Sequence, residues 1–327
     1  MPRLFIMLLF LAGFAVPAFA QIQPGGSGQA RRINTEYRGI QLSSVLYEPP
    51  AVAQEPALFV VLHGCTQSAS VMATGTRFNQ AADQSGFYVL YPEQSYSRHI
   101  LSCWNWYLPE NLKRDSGELS VIAKAVADTA RSLGISARRV FAAGLSAGSI
   151  MALNLAYCYS DQIKGVMVHS GIEYGAAESV DQAKYAMANT SPTDVRISAE
   201  KAYKCAPRRV TPLPVLVFHG SRDRTVILEN SAKVRDQALL VNDYLDDGQA
   251  NGSLRVQARA TNFPAAKGKY PARILDYHIG GKSLVRTVSL IGMGHAWSGG
   301  SRQASYMDPR GLDATNIAVQ YFLNQSL

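Results

Sequence analysis

Beyond its opening segment the 327-residue chain contains no apolar run that could cross a bilayer, which takes about 20 consecutive apolar residues. It carries only four cysteines, none spaced as Cys-x-x-Cys and none accompanied by a histidine pair, so no zinc site is expected. Nor is there a block of like charge. The formal net charge of +8 is dispersed, with isolated pairs at Arg31-Arg32, Arg138-Arg139 and Arg208-Arg209 and none of the interleaved aromatics of a nucleic-acid-binding face. No internal repeat is present, and no Pro- or Ser-rich linker announces a separate binding module. These absences argue against a membrane-embedded protein, a solenoid and a nucleic-acid binder. No metal or other cofactor is expected.

What is present begins with an export signal. Met1-Pro2-Arg3 is positive, Leu4 through Val16 is an apolar stretch of about 13 residues, and Ala18-Phe19-Ala20 places small residues where a signal peptidase reads them. Residues 1–20 are therefore read as a signal peptide, and the mature chain is expected to start at Gln21, secreted to the periplasm or the medium with no membrane anchor. Residues 21–34, opening with Gly, Gln and Ser, read as a flexible lead-in. In an exported chain four cysteines are most economically two disulfides, with three pairings open.

The remainder, 35–327, alternates between two periods as a single domain would. Leu58-Phe59-Val60-Val61-Leu62, Phe87 to Tyr91, Arg139 to Ala143, Gly165 to His169, Val215 to His219 and Val285 to Ile291 are short β-rich runs. Between them, residues from Glu118 to Leu133 place Leu119, Ile122, Ala123, Val126 and Ala130 at helical spacing. Strand and helix in repeated order predict a doubly wound, mostly parallel sheet with helices on both faces, and ligands beyond the carboxyl ends of its strands. Two segments break the rhythm: 176–214, read as an insertion over the sheet, and the polar, loop-rich 242–269. A hairpin turning at Gly280-Gly281 is predicted after the latter.

Three segments at predicted strand ends carry chemistry. Gly144-Leu145-Ser146-Ala147-Gly148 lies between a strand and a helix, where the motif becomes a tight turn that lifts a serine hydroxyl clear of the sheet. Downstream, Asp223 follows the strand ending at His219, and His295 follows the last strand, flanked by Gly292 and Gly294. That order of serine, acid and histidine suits acyl transfer: Ser146 as nucleophile, His295 as base, Asp223 as the group that fixes its tautomer. His63, His99, His169, His219 and His278 are read as scaffold or loop residues, and Asp243, Asp246 and Asp247 as rivals lacking a preceding strand. The turn Leu62-His63-Gly64-Cys65-Thr66-Gln67 suits an oxyanion site formed by the amides of Cys65 and Ala147. A Cys65–Cys103 bridge would hold that turn against Trp104-Asn105-Trp106, which favours this pairing and leaves Cys158 with Cys205. Trp104, Trp106 and Trp297 are the expected aromatic walls of a substrate pocket.

With Tyr91-Pro92-Glu93-Gln94, Cys103-Trp104-Asn105-Trp106, Gly294 to Gly300 and the tail Asp308-Pro309 to Asp313-Ala314, these segments resemble the secreted esterases grouped as polyhydroxybutyrate depolymerases, which include feruloyl and acetyl-xylan esterases. The resemblance runs from about residue 35 to the end. It implies an α/β-hydrolase fold, carboxylic-ester hydrolysis through Ser146, Asp223 and His295, and a Cys65–Cys103 disulfide; Cys158 and Cys205 lie outside the family pattern. The implied substrate is a short-chain, hydroxyalkanoate-oligomer or acylated-polysaccharide ester, with soluble esters preferred over crystalline polymer. The alternatives are a peptidase of the same fold and a catalytically silent polymer-binding relative. N-terminal sequencing of the exported protein should begin at Gln21; a chain retaining Met1 would overturn the signal assignment.

Overall fold

The computed structural model describes residues 25–207 and 212–324, so the signal segment, the first lead-in residues and Arg208-Arg209 lie outside the described residues. In chain order the elements are β1 (Gln29–Tyr37), β2 (Ile40–Glu48), β3 (Leu58–Leu62), α1 (Ala69–Gly75), α2 (Phe78–Ser85), β4 (Tyr88–Glu93), α3 (Gly117–Ser132), β5 (Val140–Leu145), α4 (Ala147–Cys158), β6 (Val166–His169), α5 (Val180–Asn189), α6 (Val195–Cys205), β7 (Val215–Gly220), α7 (Glu229–Asp247), β8 (Gln257–Phe263), β9 (Ala272–Ile279), β10 (Lys282–Leu290), β11 (Trp297–Ser298), β12 (Met307–Asp308) and α8 (Ala314–Leu323).

Ten strands form one sheet in the order β1-β2-β4-β3-β5-β6-β7-β10-β9-β8. The six central strands, from β4 across to β10, pair in parallel, and antiparallel strands close both edges. Alternation of side chains along the central strands builds two cores. Leu58, Val60 and Leu62 of β3, Val140 and Ala142 of β5 and Val215 and Val217 of β7 face one side, where α3, α4, α6 and α7 pack. Phe59 and Val61, Phe141 and Ala143, and Leu216 and Phe218 face the other, under α1, α2 and α8. The predicted doubly wound sheet with helices on both faces is what the structure shows. α4 is buried on every side, so its sequence carries no amphipathic stripe.

Two expectations need correction, and one element was not foreseen. The flexible lead-in over 21–34 is wrong for its second half: residues 29–34 belong to β1. The outer edge of β2 offers unpaired backbone groups, and β1 satisfies them from Gln29↔Glu48 to Tyr37↔Ile40, reinforced by Arg31–Glu48 (2.8 Å) and Arg32–Glu93 (2.6 Å). The loop-rich reading of 242–269 hid β8, whose polar residues are exposed throughout and show no alternation; backbone pairing with β9, from Gln257↔His278 to Phe263↔Ala272, holds it. Its first residues, Asn242 to Asp247, complete α7. The short helix α1, begun by the Ser68 hydroxyl accepting from the Val71 amide, was not anticipated.

The segment between β6 and β7 contributes α5 and α6. Cys158 at the end of α4 is bonded to Cys205 at the end of α6, and Cys65 to Cys103, the two favoured pairings. Between β6 and α5, Glu173 is buried, and neither carboxyl oxygen has a hydrogen-bond partner among the described residues. Burial pushes this carboxyl up to about 7, against a weaker downward pull that includes Lys233, whose Nζ lies 4.0 Å away.

Because the folded value lies above the unfolded one, the native state holds the extra proton between the two. This group's contribution to stability therefore falls as pH rises from about 4.5 to about 7 and is level above. Glu173→Gln should stabilise the protein relative to wild type by an amount that grows across that window, on the order of 3 kcal/mol at its upper end. Urea melts at pH 4.5 and 7.5 check this; an equal difference at both would refute it.

Candidate active site

β5 passes into α4 through one residue. Ser146 stands at φ 56°, ψ −128°, its amide donating to His169 O (2.9 Å) and its carbonyl accepting from the amides of Ser149 and Ile150. The flanking glycines make the turn sterically feasible. A Cβ on Gly144 would lie 2.4 Å from the Gly148 carbonyl carbon, and one on Gly148 would lie 2.3 Å from His63 O. The positive end of α4 thus faces the serine. Ser146 Oγ has no hydrogen-bond partner among the described residues; in such sites the link to the base commonly tightens only when substrate is seated.

Asp223 follows β7 and is buried. Its Oδ1 accepts from the amides of Thr225 and Val226 (2.9 Å each), and its Oδ2 accepts from His295 Nδ1 at 2.7 Å. Burial by itself would raise this carboxyl. The hydrogen bond and charge of His295, the Val226 amide and nearby His219 outweigh it and hold the group below the usual carboxylate range. With Nδ1 donating to a carboxylate, His295 presents Nε2 as an acceptor. The two loops meet because Gly220 carries no side chain: a Cβ there would lie 2.4 Å from Met293 O. Gly292, at φ 94°, bends the chain into the histidine loop.

The loop after β3 faces this pair. Neither the Cys65 amide nor the Ala147 amide donates to another described group, and both residues line the pocket with Ser146 and His295. The loop is pinned from several sides. Gln67 Oε1 accepts from the Gly64 amide (2.9 Å) while its Nε2 donates to Ser305 O (2.9 Å). Trp104 Nε1 donates to His63 O (3.0 Å), and His63 Nε2 accepts from the Gln94 amide (3.0 Å). Burial lowers His63, keeping the ring neutral.

At the hub of this network is Glu118 of α3, unforeseen from the sequence. It is buried and accepts from Gln94 Nε2 (2.7 Å), the Asn105 amide (3.0 Å), Asn105 Nδ2 (2.6 Å) and Arg98 Nε (3.4 Å). In the sequence Glu118 only opens the amphipathic stretch to Leu133, where an acid suits a helix N-terminus, and nothing local marks its burial.

The pocket is a cavity of about 420 Å³. One wall holds Trp104, Trp106 and Tyr107, another Leu145 and Ile150, and a third Val180, Ala183, Lys184 and Met187 of α5. The α5 residues recur at i, i+3, i+4 and i+7, a stripe that could have been read from the sequence. Trp297 is corrected: it is fully buried away from the cavity, stacked on His169 at 5.2 Å with Nε1 donating to Thr315 Oγ1 (3.1 Å). The motif's apolar size is spent on the core under α8. The other aromatic walls, Trp104 and Trp106, do line the cavity. Tyr306, at 6.2 Å edge-on to His295, completes the rim. Asp243 instead caps the turn after α7, accepting from the amides of Gly252 and Leu254. His169 accepts from the Ser298 amide, and His219 Nε2 lies 2.8 Å from Val226 O, scaffold positions for both.

Fold and site together define an α/β-hydrolase. An acetyl xylan esterase from Aspergillus awamori superposes over 90% of this chain and 99% of its own, with a TM-score of 0.70 at 21% identity, a likeness of fold. The chain belongs to the Esterase PHB depolymerase family, whose model matches residues 42–260. It is 27% identical over 288 residues, 85% of its length, to a poly(3-hydroxyalkanoate) depolymerase C of Paucimonas lemoignei, and spans 64% of that protein. It is 31% identical over 140 residues, 42% of its length, to feruloyl esterase B of Thermothelomyces thermophilus, spanning 47% of it. The chain thus spans about half to just under two thirds of the length of these curated relatives.

Removing the Glu118 charge while keeping its shape should loosen the Cys65 loop. Glu118→Gln is expected to cost about 1–3 kcal/mol of stability, because buried donors lose their acceptors. A denaturant melt unchanged within error would show that the network is dispensable.

Proposed function

We propose that the protein is a secreted serine esterase that hydrolyses carboxylic esters through an acyl-enzyme. The observation that carries this reading is the 2.7 Å pairing of His295 with buried Asp223 beside Ser146, at one apolar pocket. Ser146 Oγ attacks the ester carbonyl carbon as its proton passes to His295 Nε2, and the carbonyl oxygen becomes an oxyanion facing the Cys65 and Ala147 amides. Collapse breaks the carbon–oxygen bond, and the leaving alkoxide takes the proton from His295. Water then repeats the sequence on the acyl-enzyme, releasing the acid and restoring Ser146. Asp223, held ionised, keeps His295 in the tautomer this requires.

Family membership supports ester chemistry, and the names of the matched relatives support hydroxyalkanoate, acetyl and feruloyl esters as substrates to test. Secretion is supported by the leader and by two disulfides, bonds that persist in oxidising compartments. No helix among the described residues is long and apolar enough to cross a membrane.

The test is a substrate panel of p-nitrophenyl acetate and butyrate, methyl ferulate, acetylated xylan and hydroxybutyrate oligomers. Ser146→Ala should lower kcat by about 10⁴-fold or more on every ester cleaved and abolish labelling by a fluorophosphonate. Cleavage of peptide anilides alone, or labelling that survives the substitution, would sink the proposal.

A further inference from the structure

Tyr306 is held in a way that packing does not explain. Its backbone stands at φ 56°, a left-handed conformation that a bulky residue rarely adopts, and it is 49% exposed and belongs to neither core. Among the described residues its hydroxyl has no hydrogen-bond partner. Its ring meets one other ring, the His295 imidazole, edge-on at 6.2 Å.

The main chain fixes where this ring stands. Ser305 O accepts from Gln67 Nε2 (2.9 Å), on the loop that carries the Cys65 amide. Tyr306 O accepts from the amide of Trp297 (2.8 Å), two residues past His295, and β11 and β12 pair immediately beyond. Tyr306 is thereby tied to both halves of the reacting centre, and it lines the cavity with Thr66, Gln67 and His295.

The direction of proton transfer assigns this side of the cavity. His295 Nδ1 is engaged by Asp223, so Nε2 is the atom that returns the proton, and the oxygen receiving it belongs to the leaving alcohol. That alcohol lies against the imidazole while the oxyanion lies against the Cys65 and Ala147 amides. Resting on the esterase reading, we infer that Tyr306 is a specificity-determining residue for the leaving alcohol, its ring favouring alcohols that carry a flat apolar group. Small alkyl alcohols reach the same serine without that contact. The left-handed turn keeps the ring out of the core and beside the departing group.

The test uses esters that differ on one side of the scissile bond at a time. Methyl and benzyl butyrate share the acyl group and release alcohols of similar acidity; methyl acetate and methyl butyrate share the alcohol. kcat/KM is read by pH-stat titration of the released acid. Wild type should favour benzyl over methyl butyrate by about threefold to tenfold, the size of one aromatic contact. Tyr306→Phe should keep that ratio and Tyr306→Ala should lower it by about the same factor, with the butyrate-to-acetate ratio unmoved in both. Tyr306→Leu, which keeps apolar bulk without a ring, should behave as alanine does, and takes its place if the alanine variant fails to fold. An unchanged benzyl-to-methyl ratio in Tyr306→Ala overturns the inference. So does a shift of both ratios together, the mark of a displaced loop, or an equal loss in Tyr306→Phe, which would move the role to the hydroxyl. In each of these cases the esterase reading stands. Cleavage of no ester in this set or the panel, with Ser146 unlabelled by a fluorophosphonate, overturns both.

Discussion

The site depends on a backbone constraint at Ser146, where a parallel strand must stop and a helix begin without an intervening loop. Holding a non-glycine residue at φ 56°, ψ −128° costs on the order of 1–3 kcal/mol, and the surroundings must over-determine it. Here they do so by close approach. With no side chain at Gly148, the first turn of α4 comes against Leu62 and His63, and with none at Gly144 the strand lies against that same turn. The strained serine is thereby locked to the loop that carries Cys65. A parallel arrangement of β3, β5, β7 and β10 then brings the loops bearing Cys65, Ser146, Asp223 and His295 to one edge of the sheet.

The same principle of buried and satisfied polar groups organises both halves of the site. On one side, Asp223 uses Oδ1 for two backbone amides and Oδ2 for His295, so its position is settled by its own turn before the histidine arrives. On the other side, Glu118 gathers Gln94, Asn105 and Arg98 behind the Cys65 loop, and the Cys65–Cys103 bridge closes a 38-residue span over them. Each half is rigid for reasons independent of substrate. Low reorganisation during charge development is the condition under which amide donors are most effective.

Much of this architecture was legible because it is written in consecutive residues. Leu58 to Leu62 and Val215 to His219 announce buried parallel strands, and Gly144 to Gly148 announces a turn whose context is the strand before and the helix after. β1 and β8 were not legible. Both are edge strands with mixed or fully exposed faces, held by backbone pairing that leaves no period in the side chains. Trp297 and Trp104 show the same limit at the site: each is a tryptophan beside a candidate site residue, yet one packs under α8 and the other walls the cavity.

By itself the sequence determined the alternation of elements, the tight turn at Ser146 and the identity of the groups that could act there, because these rest on local spacing and on side-chain chemistry. Tertiary structure alone decided which residues meet. Glu118 meets Gln94, Arg98 and Asn105, behind the Cys65 loop, only through the packing of α3, and Lys184 lines the cavity only through the placement of α5. Such neighbours come from segments tens of residues apart, and their meeting is set by how the layers pack.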